Sequence, residues 1–83
     1  MDKIATVFRS RNCKVGKQLV DALRASDIDQ EQLQVCYIGE QAAISTFFRV
    51  VESPTVLLFE NGEETVRHEG HIPPAVIIDF LKS

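Results

Sequence analysis

The chain has 83 residues, of which 45% are hydrophobic and 25% are charged, and its formal net charge is −3. Such a composition is typical of one ordinary globular domain, residues 1–83, and the negative net charge argues against broad nucleic-acid binding. No apolar run approaches the ~20 residues of a membrane span, and the start of the chain, MDKIATVF, carries no signal-peptide cleavage site. We therefore expect a cytoplasmic protein in which both cysteines, Cys13 and Cys36, are free thiols.

The first half of the chain predicts a strand, a helix and a second strand. Residues 3–8, KIATVF, form a short apolar run typical of a buried strand. Asn12 is the predicted N-cap of the helix, because its side-chain oxygen can accept a hydrogen bond from a first-turn amide. Residues 33–38, LQVCYI, predict a second strand, in which successive side chains point to opposite faces of the sheet. Between these two strands, apolar residues recur at helical spacing, and they predict a buried helix face made of Val15, Leu19, Ala22 and Leu23.

The second half of the chain predicts a short helix, a hairpin and a closing helix. Strands at 55–60 and 64–69 flank Asn61-Gly62, a strong hairpin signal, since both turn residues must adopt positive φ. The segment PPAVIIDFLK predicts a helix with proline in its first turn. The order β-α-β-α-β-β-α therefore predicts an α/β protein with a four-stranded mixed sheet and helices on both faces. In the short helix, within EQAAISTFFRV, the predicted apolar face consists of Ile44, Phe47 and Phe48.

This order of elements resembles a minimal thioredoxin fold over nearly the whole chain. The stretch PTVLLFENGEE is similar to the Pro-Thr strand and Asn-Gly turn of thioredoxin, and ATVFRSRNCKVGKQLVDAL resembles glutaredoxin, with a cysteine at the helix start. The resemblance implies thiol–disulfide chemistry at Cys13. It also implies a cis Ser53–Pro54 bond that faces this cysteine, and a substrate-binding surface made of Asn12, Gly16, Ser53 and Pro54.

The chain departs from the family at the second cysteine. The family's C-x-x-C-K motif is Cys13-Lys14-Val15-Gly16-Lys17 here, so glycine replaces the thiol that resolves a mixed disulfide. The resemblance implies that the buried aspartate on thioredoxin's central strand would fall near Val7 in this chain. We place Cys36 too deep in its strand to substitute, and we interpret it as a small core residue.

Four basic residues surround Cys13 in the sequence, and they have two interpretations. A helix N-terminus and nearby cations stabilise a thiolate, which is the reactive form of cysteine. The cations could also bind a carboxylate of glutathione. The alternative is an ordinary solvated helix start beside a leftover cysteine. The four residues are Arg9, Arg11, Lys14 and Lys17.

Two functions stay open at the level of the sequence. The first is a monothiol thiol–disulfide oxidoreductase, in which Cys13 forms a mixed disulfide with a protein or with glutathione. The second is a redox-inactive thioredoxin-fold module that binds a protein through the Cys13/Pro54 surface. We expect no metal site, since His68 and His71 lack further ligands, and no cofactor apart from glutathione as a candidate co-substrate. Apolar Val76 and Ile78 on the last helix suggest a monomer or a weak homodimer, or simply a wide core face.

Overall fold

The helices and strands follow one another in the predicted order. The computed structural model describes residues 2–83. A short 3₁₀ turn, Gln30–Gln32, leads into the second strand. The strands are β1 (Lys3–Arg9), β2 (Leu33–Tyr37), β3 (Thr55–Glu60) and β4 (Glu63–Glu69), and the helices are α1 (Lys14–Ala25), α2 (Ala42–Phe47) and α3 (Pro74–Lys82).

The four strands form one mixed sheet in the order β2-β1-β3-β4. β1 pairs in parallel with β2 and antiparallel with β3, which in turn pairs antiparallel with β4. The β3–β4 turn has Asn61 at φ 54° and Gly62 at φ 85°, as the sequence predicts for an Asn-Gly hairpin. The sheet architecture predicted from the sequence is therefore confirmed.

The two faces of the sheet are covered unequally. On one face, α1 and α3 pack against alternate residues of the strands and form the larger core cluster, which includes Val7, Leu23, Val56 and Ile77. On the other face, Phe8, Cys36, Val50 and Leu57 form a smaller cluster. An apolar groove of about 310 Å³ opens on this second face beside α2. Its main apolar lining residues are Ile4, Phe8, Cys36, Ile44, Phe48 and Phe59.

The buried face of α1 differs from the prediction. Leu19 and Leu23 are buried as expected, but Val15 is 42% exposed and Ala22 is exposed. Gly16 and Val20 are buried instead. The helix is rotated because the glycine, having no side chain, lets its first turn approach β1 closely.

The predicted apolar face of α2 is wrong for two of its three residues. Ile44 is 41% exposed and Phe47 is 79% exposed, whereas Ser45 is the buried residue of this helix. Phe48 does pack inward, with its ring 6.1 Å from Phe8 and 5.6 Å from Phe59. It lies just beyond the end of the six-residue helix, so helical periodicity does not determine its direction.

Two further expectations concern the exposure of Val76 and Ile78 on α3 and the presence of a membrane-spanning segment. Val76 is 48% exposed, while Ile78 is partly buried against the larger core cluster. None of the helices within residues 2–83 is long and apolar enough to cross a membrane.

Candidate functional site

Cys13 occupies the N-cap of α1, immediately after the turn that leaves β1. Its carbonyl oxygen accepts the first helical hydrogen bond from Lys17 N at 3.0 Å. Its Sγ accepts a hydrogen bond from Gly16 N at 3.3 Å, which is the cap interaction. The prediction that Asn12 is the N-cap is therefore wrong by one residue. Asn12 lies exposed in the turn, because the thiol already occupies the position that points back at the first-turn amides.

Ser53 and Pro54 lie next to this helix start although they are forty residues away in the chain. The Ser53–Pro54 peptide bond is cis, and Pro54 is buried. Ser53 Oγ accepts a hydrogen bond from Ser10 N at 2.9 Å, and Ser10 O accepts one from Cys13 N at 3.2 Å. The two polar groups of Ser10 thus bring Ser53 and Cys13 together.

The pKa of Cys13 lies below the ordinary value for a thiol. The main cause is a hydrogen bond with the Ser53 side chain, followed by the backbone amides of Gly16 and Val15 and by the charge of Arg9. Partial burial acts in the opposite direction and raises the pKa. The thiolate is therefore favoured mainly by directed hydrogen bonds at a helix start, with a smaller contribution from charge.

The four predicted cations play unequal roles, because most of them already have partners. Arg11 forms an exposed ion pair with Glu40 and stacks 4.0 Å from the ring of Tyr37. Lys17 pairs with Asp21 at 2.7 Å, one turn further along α1. Lys14 makes no ion pair within residues 2–83 and is exposed.

Arg9 is the basic residue whose charge lowers the pKa of Cys13. It is only 7% exposed, at the end of β1. Its guanidinium donates to Ser10 O at 3.1 Å and to Arg11 O at 3.0 Å, and lies 5.3 Å from the ring of Tyr37. It therefore ties down the turn that carries Cys13 while it contributes a positive charge beside the sulfur.

Gly16 is held against Arg9 by close packing. A Cβ atom placed on Gly16 would lie 2.9 Å from Arg9 Cβ and 3.4 Å from Cys13 Sγ. The first of these distances is shorter than any normal contact, and Arg9 Cβ cannot rotate away because it is fixed to the strand. The position where the family carries its second thiol thus has no room for a side chain in the present backbone.

Cys36 lies on the other face of the sheet. In the register of β1 and β2 it stands opposite Phe8, and it packs into the smaller core cluster, away from α1. It is 8% exposed, and burial raises the pKa of its thiol. The interpretation of Cys36 as a buried strand residue is confirmed.

Sequence reasoning missed several residues that shape the site. Val51, two residues before Ser53 in the chain, is an apolar side chain that is 83% exposed. Tyr37 and Glu40 hold Arg11, and Ser10 joins the two loops. Their partners are distant in the chain, so no local pattern could have identified them.

The described part of the chain offers no cluster of metal-binding side chains. Within residues 2–83, no three His, Cys, Asp or Glu side chains come together in a way that could hold a metal ion. His68 Nε2 lies 2.8 Å from His71 O, which places both histidines in a local contact at the end of β4.

The fold and the site define a thioredoxin-fold protein with one cysteine at the start of its first helix. No family model matches the sequence. The chain is 30% identical over 70 residues to the thioredoxin of Mycoplasma pneumoniae, a match that covers 83% of this chain and 67% of that protein. The chain therefore belongs to the thioredoxin family and is thiol–disulfide oxidoreductase-like in its general class.

Solved structures agree with this assignment at the level of the fold. Mitochondrial thioredoxin 3 from Saccharomyces cerevisiae, in its oxidised form, superposes with a TM-score of 0.73 at 21% identity, covering 98% of this chain and 77% of that chain. Thioredoxin 1 from Thermosipho africanus superposes with a TM-score of 0.78 at 17% identity, covering 94% of this chain and 89% of that chain. The architecture is therefore a minimal thioredoxin fold.

Proposed function

We propose that this protein is a monothiol thiol–disulfide oxidoreductase that acts through a mixed disulfide at Cys13. The observation that carries the proposal is the environment of the Cys13 sulfur. Sγ caps α1 and accepts a hydrogen bond from the Gly16 amide at 3.3 Å, and the pKa of the thiol is lowered. A thiolate favoured in this way is the reactive form for disulfide exchange.

The proposed reaction has two exchange steps. The Cys13 thiolate attacks one sulfur of a substrate disulfide, a new S–S bond forms to Sγ, and the other substrate sulfur leaves as a thiolate. A second thiol, from glutathione or from a partner protein, then attacks the mixed disulfide and releases Cys13. Each step breaks one disulfide bond and forms one, so the exchange requires no oxidant beyond the substrate disulfide and no reductant beyond the second thiol.

The monothiol character is supported by the positions of the other candidate groups. Gly16 leaves no room for a resolving thiol, and Cys36 is buried on the opposite face of the sheet. An external thiol is therefore required. Lys14, which is exposed and makes no ion pair within residues 2–83, is our candidate for binding a carboxylate of glutathione. Asn12, on the other side of Cys13 in the chain, is also exposed.

Trapping the mixed disulfide tests the proposal. The reduced protein is incubated with glutathione disulfide and its intact mass is measured. We expect a single glutathione adduct that persists because no internal thiol displaces it. Cys36→Ser should retain the adduct and Cys13→Ser should lose it. An adduct that forms equally well on Cys13→Ser would overturn the assignment of Cys13 as the nucleophile.

The alternative of a redox-inactive binding module is favoured by one observation, the apolar Val51 side chain that is 83% exposed two residues before Ser53. It would use the surface of Cys13 and Pro54 to bind a protein without exchange. If the native protein forms no adduct with either glutathione disulfide or a protein disulfide, while its Cys13 thiol is still alkylated, this second function replaces the first.

A further inference from the structure

The apolar groove on the second face of the sheet is separate from the Cys13 site. Ile4, Thr6 and Phe8 line it from one face of β1, whereas α1, which begins next to Cys13, packs on the opposite face. The volume of about 310 Å³ is roughly twice the ~150 Å³ of a cavity that holds one benzene ring. The groove therefore has room for an aromatic side chain.

Phe47 of α2 is an aromatic side chain that its own core leaves in solvent. It is 79% exposed, and its ring lies edge-on to Phe48, with 4.9 Å between the ring centroids. Phe48 forms part of the groove wall, but Phe47 does not line the groove of its own chain. Ile44, one helical turn before Phe47, is 41% exposed and also borders the groove. An exposed ring beside an apolar groove indicates an interaction surface, because both gain from leaving water.

The charged groups near the ring and near the groove have opposite signs. Asp2 lines the groove and also an adjoining polar hollow, in which Asp29 and Glu31 lie. Lys3 reaches the same hollow, but its Nζ is bound to the last residue of the chain at 2.7 Å. Arg49, just after α2, is exposed and makes no ion pair in the described part of the chain. The segment with the exposed ring thus carries a free cation, and the groove is bordered by carboxylates.

We propose that this face binds a second copy of the chain, in a two-fold symmetric dimer in which Phe47 of each copy inserts into the groove of the other. A two-fold axis between the ring and the groove forms both contacts at once, since every contact of an isologous interface occurs twice. Arg49 gives a positive charge to the segment that enters a groove bordered by Asp2. The surface is therefore complementary to itself in shape and in charge.

The free edge of β2 beside the groove is a poorer docking site for an added strand. β2 is the outer strand of the sheet and has five residues. Leu33 N already donates to Gln30 O, and Tyr37 N donates to Gln41 Oε1 at 2.9 Å. An added strand needs a row of unpaired amides and carbonyls. Insertion of a side chain, rather than strand pairing, is the contact that this face favours.

Sedimentation equilibrium of the full chain tests the proposal over a concentration range of about 1 µM to 1 mM. A phosphine reductant excludes disulfide-linked dimers. We expect a reversible dimer with a dissociation constant on the order of 100 µM, because the contact centres on two rings. The average mass should rise with concentration from the 9.3 kDa of one chain towards twice that value.

Three single substitutions locate the contact. Phe47→Ser should weaken the dimer about a hundredfold, because two buried rings are lost from each dimer. Arg49→Glu should weaken it about three- to tenfold, as expected for charges at the rim of an interface. Val76→Ser is the matched control, since Val76 is an exposed apolar residue on α3, and it should leave the dissociation constant unchanged.

Mixing two variants tests whether the ring and the groove are reciprocal partners. Cys36→Phe fills the groove from its floor and retains Phe47, whereas Phe47→Ser loses the ring and retains the groove. Each variant alone should be monomeric. An equimolar mixture has one intact contact in each heterodimer and should associate about tenfold more tightly than either variant alone. If Cys36→Phe does not fold, Cys36→Met fills the groove with a more adaptable side chain.

A native protein that stays monomeric up to about 1 mM would overturn the proposal. A dimer that Phe47→Ser leaves intact, or that Val76→Ser abolishes, would place the contact on another surface and overturn it as well. A mixture as monomeric as its components would overturn the reciprocal insertion. None of these results affects the proposed function, which fails separately if the native protein forms no mixed disulfide at Cys13.

Discussion

At the scale of single residues, Arg9 and Gly16 fix the position of Cys13 and limit the space for a second thiol beside it. The arginine fixes the turn through two backbone carbonyls, and the glycine presents its amide to the sulfur while packing against Arg9 Cβ. A side chain at position 16 would therefore press against the residue at position 9. A cysteine at position 16 would require the helix start or β1 to shift.

We expect Gly16→Ala and Gly16→Cys each to lower the free energy of unfolding by about 1–3 kcal/mol, because the new Cβ overpacks against the strand. Gly16→Cys should accordingly gain little turnover with a protein disulfide. The measurements are urea denaturation and an insulin-reduction assay.

Gly39→Ala is the matched control, since a Cβ at Gly39 would contact nothing within 4 Å. Combining Gly16→Ala with Arg9→Gly should give a non-additive stability change, because the two residues share one contact. A Gly16→Ala variant as stable as the native protein would refute the packing explanation.

The two cysteines should affect stability with opposite dependence on pH. The pKa of Cys13 is lowered in the folded state, so between that pKa and the ordinary thiol value of about 8.5 the unfolded chain binds more protons. Its contribution to stability therefore rises with pH in this window and is lost as pH falls through the folded-state pKa. Burial raises the pKa of Cys36 in the folded state, so above about pH 8.5 the folded chain binds more protons than the unfolded chain. The contribution of Cys36 to stability is therefore lost as pH rises above this value.

Urea denaturation under reducing conditions, from pH 6 to about 10, checks this expectation. Relative to the native protein, Cys13→Ser should lose the rise in stability, and Cys36→Ala should lose the decline at high pH. Identical pH profiles for the native protein and Cys13→Ser would show that the folded state does not favour the Cys13 thiolate.

At the scale of elements, the segment between α2 and β3 carries the residues that would meet a substrate. Arg67 of β4 donates to Phe48 O at 2.6 Å and to Arg49 O at 3.4 Å, which holds the end of α2 against the hairpin. Arg49 has φ 57°, and the chain then turns so that Val50 is buried and Val51 is exposed. Val51 thus lies on a fixed segment that ends at Ser53.

We expect Val51→Ser to reduce kcat/KM for a protein disulfide about three- to tenfold, because a docked protein would bury this side chain. The rate with glutathione disulfide, which is too small to cover Val51, should be unchanged. Val76→Ser on α3 is the control, since Val76 is exposed but lies outside the segment that leads to Ser53. Equal losses with both disulfides would mean that Val51 acts on Cys13 rather than on docking.

At the scale of the whole molecule, the unequal covering of the sheet predicts unequal local stability. The face with α1 and α3 holds most of the buried apolar residues, whereas α2 has six residues, buries Ser45 and borders the groove. Regions that bury few apolar groups open at a lower free-energy cost than the global transition.

Native-state hydrogen exchange should therefore show α2 amides opening at low denaturant, while amides of β1 and β3 exchange only on global unfolding. The amides of α1 serve as an internal reference for a helix with a fully packed face. Protection of α2 equal to that of β1 would show that the groove face is as stable as the other.

The sequence by itself determined the order of elements, the hairpin turn and the placement of Cys13 at a helix start. These features depend on local signals: the strand and helix periods, the backbone demands of Asn61-Gly62, and proline at the start of α3. Local signals act between residues a few positions apart, so they can be read without knowing how distant segments meet.

The tertiary structure alone decided which groups act on the sulfur. Ser53 reaches Cys13 through a hydrogen bond to Ser10, forty-three residues earlier in the chain. Gly16 turned the helix toward β1, so Val15 became exposed and the predicted face was shifted. Three of the four predicted cations were already bound to carbonyl oxygens or carboxylates. Each of these outcomes depends on which partner lies nearest in space, and a hydrogen bond or an ion pair forms there regardless of separation along the chain.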